Sequence, residues 1–224
     1  MSNIRNCLTA LAAGLLTLLL PIVAHAATFG FTNNITNNGN PYVGGQLSVE
    51  VAGVDANHVS FTFSNVGLTA SSITDIYFVN SPALFDSSGA PSVENHPGVN
   101  FTAFVGDSGP GGGLPGGTPF GFGASSLAFQ ADANSPNVPQ SGINPGESLA
   151  IVFALLGGES LGSVIDAVFG NTLRIGLHVQ SIANRGSDSY LLTATPLPGA
   201  LPLFVTGLVS LGLLRRRQRK GRTA

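Results

Sequence analysis

The chain has no tryptophan, one cysteine and one methionine, and only 9% of its 224 residues carry charge. The single cysteine, Cys7, lies in an N-terminal apolar run, so the segment after it can form no disulfide, thiolate nucleophile or thiolate metal site. Lysine occurs once, at Lys220. From residue 27 to 194 the only bases are Arg174 and Arg185, set against all eleven acids, a formal charge of −9. Nucleic acid is excluded as a partner, because phosphate binding needs clustered Lys and Arg. The absence of tryptophan, the common sugar-stacking platform, counts against glycoside hydrolase and lectin readings. His58, His96 and His178 are dispersed, with no H-x-x-x-H or H-E-x-x-H spacing, so the sequence predicts no metal site. No cofactor and no catalytic set are expected.

What is present begins with an export signal. Arg5 supplies a positive first region, Leu8 to Val23 is an apolar core, and Ala24-His25-Ala26 is a small-x-small cleavage pattern. Cleavage is expected after Ala26, by signal peptidase following the secretion translocon. Cys7 stands too early for a lipoprotein cleavage box. The chain thus divides into a signal helix (1–26), an exported domain (27–194) and a C-terminal segment (195–224).

That last segment has three parts. Thr195-Pro196-Leu197-Pro198-Gly199 comes first, an uncharged apolar stretch runs to Leu214, and Arg215, Arg216, Arg217, Arg219, Lys220 and Arg222 close the chain. Counted from Leu197, a helix of this length spans roughly 27 Å, the lower limit for crossing a bilayer core. The basic end is expected to stay in the cytoplasm, since positive charge crosses lipid at high cost. Proline lacks an N–H and restricts the residue before it, so 195–198 is predicted to be extended and outside the helix. A plain stop-transfer anchor beginning with prolines is the simpler reading of the same residues.

The tripartite order resembles the PEP-CTERM sorting signals of Gram-negative bacteria, and most closely their V-P-L-P-A variant. Thr195 stands where that variant has Val, and Gly199 where it has Ala. The resemblance implies an exosortase, a membrane-embedded cysteine transpeptidase, as the partner acting at Thr195–Gly199. It further implies a substrate that is not itself an enzyme, anchored in the inner membrane before sorting. The destination it implies is the cell envelope or matrix, in company with exopolysaccharide. The segments V-S-F-T-F-S-N, S-S-I-T-D-I-Y-F, N-P-G-E-S-L-A-I-V-F and L-R-I-G-L-H-V-Q look like exported domains that carry this tail.

Between the ends, period-two alternation dominates. Leu47/Val49/Val51, Val59/Phe61/Phe63, Ile73 to Val79, Val99/Phe101/Ala103/Val105, Leu127/Phe129, Leu173/Ile175/Leu177/Val179 and Ser189 to Thr193 read as strands. Leu149 to Leu156 is apolar on both faces and reads as a central strand. These predict an all-β, antiparallel β-sandwich, jelly-roll or immunoglobulin-like. One helix is expected, Leu161 to Phe169, where Leu161, Val164, Ile165 and Val168 fall at helical spacing between Ser160 as N-cap and Gly170 as stop. Gly106 to Pro119 is expected to be a mobile loop.

Two formal motifs fail on their chemistry. Gly106-Asp107-Ser108-Gly109 matches a serine-protease nucleophile loop, but no A-A-H-C segment supplies the base and Pro110 breaks the pattern. Gly111-x-Gly113-x-x-Gly116 matches a dinucleotide fingerprint, but Pro115 and Pro119 prevent the helix it needs. Asp86, Glu94 and Asp107 lack calcium-loop spacing and read as ordinary loop acids; the acidic loops are the support for the alternative function, a calcium- or glycan-binding module. Asn34-x-Thr36 and Asn100-x-Thr102 match glycosylation acceptors.

Overall fold

The computed structural model describes residues 26–80, 84–136 and 138–196. Ten strands form: β1 (Ala27–Asn34), β2 (Leu47–Gly53), β3 (His58–Asn65), β4 (Ser72–Asn80), β5 (Ser92–Val93), β6 (Phe101–Val105), β7 (Phe129–Ala133), β8 (Glu147–Ala154), β9 (Leu173–Ile182) and β10 (Gly186–Pro196). Hydrogen bonds join them into one sheet in the order β5-β8-β3-β2-β1-β10-β9-β4-β7-β6. Every pairing is antiparallel. The antiparallel all-β class is as expected. The division into two sheets is not seen; the single sheet curls until its ends nearly meet and is close to a barrel. The signal helix and the transmembrane helix lie outside the described residues.

The curl follows from where the aromatic residues sit. Phe61 and Phe153, from one end of the strand order, meet Phe78 and Phe129 from the other, with ring centroids 5.4 Å (Phe61–Phe78), 4.9 Å (Phe78–Phe153) and 5.1 Å (Phe129–Phe153) apart. Each ring is essentially inaccessible to water. Burying so much aromatic surface is the main force that brings the two halves of the sheet face to face. The seam is joined by the backbone pairing of His96 with Val99 and by one side chain. Asn95, just beyond β5, accepts a hydrogen bond from Phe101 N at 2.7 Å and donates one to Phe101 O at 2.8 Å, serving β6 in place of a strand.

The helix forms at the expected residues. Here called α2 (Leu161–Phe169), after the one-turn α1 (Val138–Ser141), it starts at Ser160, whose Oγ accepts from Ser163 N, and ends at Gly170. Val164, Ala167 and Val168 are its buried face, as the 3.6-residue period requires.

Two expectations change. Strand β8 is not covered on both faces: Ala150 and Val152 are only half-buried, and one neighbour is the two-residue β5. The doubly covered strand is β4, buried at every position from Ser72 to Val79. The reason is the glycine-rich stretch after β6, which is not a free loop. Leu114 and Phe122 pack with Tyr77, Val79 and Leu127 in a second small core on the outer sheet face. The strand β1 was not anticipated, although Phe29 and Phe31 alternate along it, both fully buried.

Candidate functional site

The outer face of the sheet carries a row of polar side chains where apolar ones would be expected under a cover. Ser189 on β10 is opposite His178 on β9, His178 is opposite Asp75 on β4, and Asp75 is opposite Asp132 on β7. Residues directly opposite in antiparallel strands share a face, so the four form one rung across four strands. Tyr77 and Gln130 make the next rung, also directly opposed. A bulge between Ile73 and Asp75 brings Thr74 beside the acid.

The hydrogen bonds are specific. Asp75 Oδ2 lies 2.8 Å from His178 Nδ1 and accepts from Thr74 Oγ1 at 2.7 Å. Gln130 Nε2 donates to Asp132 Oδ2 at 3.3 Å. Among the described residues, Gln130 Oε1, Asp132 Oδ1 and Ser189 Oγ are buried with no hydrogen-bond partner. Burial, then the neighbouring Asp75 carboxylate, pushes the Asp132 carboxyl up to about 7, with the Gly111 amide pulling the other way. Burial, followed by the charge of Asp75 and Asp132, raises the Tyr77 phenol as well.

Glycine makes the cover fit. A Cβ on Gly109 would overlap the Gln130 amide, and one on Gly111 would stand 3.1 Å from Tyr77 Oη, 3.6 Å from Asp75 Oδ1 and 3.8 Å from Asp132 Oδ1. The backbone therefore runs directly over the acids. Chemically, two carboxyls side by side in a dry setting hold one proton between them. The order hydroxyl, imidazole, carboxylate matches that of a nucleophile, its base and an orienting acid. Ser189 is nevertheless wholly inaccessible, and its Oγ makes no bond to His178, so no substrate reaches it in this conformation.

The residues singled out in the sequence fall elsewhere. Ala26 is exposed next to β1, and Thr195 and Pro196 are the last residues of β10. Ala24, Leu197, Pro198, Gly199 and the basic cluster Arg215 to Arg222 lie outside the described residues. The three histidines are not brought together. His58 pairs with Asp55 at 2.9 Å on the surface, and His96 lies with Nε2 2.7 Å from Ser148 O and Nδ1 3.2 Å from Pro97 O. Among the described residues, no group of three His, Cys, Asp or Glu has metal-binding geometry. Asp86 closes a local turn, accepting from Ser88 N at 2.8 Å, which lowers its pKa.

Asp75, Tyr77, Gln130 and Asp132 were missed. Their i, i+2 spacing in T-D-I-Y and F-Q-A-D-A marks one outward face; nothing local says that this face is covered. No protein-family model, curated protein or solved structure matches this chain. Among the described residues, no helix is long and apolar enough to cross a membrane.

Proposed function

We propose that the chain is an exported, membrane-tethered domain whose tail is a sorting signal of PEP-CTERM type, cut by an exosortase at Thr195–Gly199. In this reading the domain is a substrate of sorting and not an enzyme. It ends in the envelope or an exopolysaccharide-associated matrix, with a structural or adhesive role. Its curled sheet then acts as a flattened sandwich, two five-stranded walls about one aromatic core.

The observation that supports this reading is the pairing of Phe29 with Pro196. It sets the residues just after the expected export cut beside the first proline of the motif, at the same end of the sheet. A tail leaving there reaches a membrane without crossing the domain, and the edge of the motif is already extended.

The test is processing in the native host. Replacing Pro198 with Ala, alone and together with Pro196→Ala, is expected to leave full-length protein in the inner membrane, whereas an Arg185→Ala control is processed normally. Normal maturation of both proline variants would overturn the proposal.

A further inference from the structure

Only two cations lie in the exported domain, and they have different surroundings. Arg185 is exposed in the turn between β9 and β10. Arg174, near the start of β9, sits in a groove of about 540 Å³ whose lining is mixed, with Phe120, Phe122, Leu191 and Ala194 beside the polar Asn33 and Asn171. No carboxylate pairs with it among the described residues, although the domain is strongly acidic.

The guanidinium is held ready. Its Cζ stands 5.4 Å from the centroid of the Phe122 ring, and Nη1 donates to the Phe120 carbonyl. Gly121 makes this posture available: its φ is +75°, and a Cβ there would be 2.7 Å from Nη1 and 2.8 Å from Nη2. A guanidinium has five N–H donors. Among the described residues one is used, which leaves the others for a ligand, and a planar fork fixed by a ring loses little freedom on binding a carboxylate. Phe120 keeps 44% of its surface exposed, an apolar wall beside the charge.

We propose that this groove binds a small monocarboxylate with an apolar body, the acid group on Arg174 and the body between Phe120 and Leu191. Charge argues for one acid group and against a polyanion, because a domain of formal charge −9 repels a polymer of like charge. Phe120 and Leu191 beside the guanidinium favour an apolar body over a fully hydrated anion such as acetate. This site is independent of the sorting reading, which concerns the tail alone.

The experiment is calorimetric titration of the purified full chain in detergent with sodium hexanoate, butanoate, hexanol and hexylammonium. Hexanoate is expected to bind saturably, and about tenfold more tightly than butanoate, as two fewer methylenes are buried. Hexanol and hexylammonium should not saturate. Arg174→Gln should weaken hexanoate at least tenfold and Arg185→Gln less than twofold. Ala194→Trp, which fills the groove and leaves the guanidinium in place, should abolish binding if Arg174→Gln proves unfolded. No saturable binding by the wild type, equal binding of hexanol, equal loss in both arginine variants, or undiminished binding by Ala194→Trp would each overturn the proposal.

Discussion

Asp75 and Asp132 stand at the same rung of neighbouring strands, beneath the same stretch of glycine-rich backbone, and His178 is bonded to only one of them. Asp75 therefore has a partner for its charge, whereas Asp132 keeps Oδ1 without one. Asp132 is the member that holds a proton, and its carboxyl is raised to about 7.

A raised carboxyl makes the folded state bind a proton that the unfolded chain releases near pH 4. Stability from this group is thus full below about pH 4 and is lost as pH rises to about 7. Asp132→Asn is expected to flatten that slope and to stabilise the protein by about 1–3 kcal/mol at pH 8, with little gain at pH 4. Urea melts at the two pH values are the check. An equal shift at both would locate the effect elsewhere.

His96 titrates in the same direction for a different reason. Its two ring nitrogens face the carbonyls of Ser148 and Pro97, which favour the doubly protonated ring and raise its pKa from 6.5, Ser148 contributing most. Its contribution is fully present below pH 6.5 and falls as pH rises through the folded value. His96→Gln is expected to remove pH dependence above 6.5 that survives in Asp132→Asn. Histidine NMR titration would measure the shift directly.

Asn95 helps to close the seam between β5 and β6 with both atoms of its amide. Asn95→Ala leaves the Phe101 N–H and carbonyl without these partners at a half-buried site, a loss of about 1–3 kcal/mol. Hydrogen exchange at the Phe101 amide should accelerate more than at Phe63, whose strand lies away from the seam.

The glycine cover is testable at single positions. Gly109→Ala forces a methyl into the Gln130 amide and should lift residues 106–127 from β4 and β7, seen as faster exchange there. Gly89→Ala, with no atom within 4 Å of the added carbon, is the matched control and should be neutral.

The aromatic core carries the largest single cost. Phe153 touches Phe61, Phe78, Phe85 and Phe129, so Phe153→Ala should cost about 3–5 kcal/mol. Exposed Phe120 offers the comparison: its truncation should cost far less.

Strands β2, β3 and β9 were legible because alternation is local: each places Val, Leu, Ile or Phe on one face with polar or small residues such as Ser48, Glu50, Thr62, Arg174 and His178 between. The helix at Leu161–Phe169 was legible for the same reason, its spacing, cap and stop all lying within eleven residues. The strand β5 was not, since two residues hold no period and exist as a strand only because β8 lies beside them.

By itself, then, the sequence determined which face of β2, β3 and β9 is apolar, where the helix Leu161–Phe169 starts and stops, and that acids far outnumber bases between the two apolar ends. Tertiary structure alone decided that the sheet curls until its ends nearly meet, that Gly106–Pro119 becomes a packed cover, and that Asp75, Asp132 and His178 share a rung. The physical reason is range. Backbone propensity and period act over a few residues, whereas strand register and burial depend on segments as far apart in the chain as Phe29 and Pro196, and only burial turns an outward aspartate into a proton-holding one.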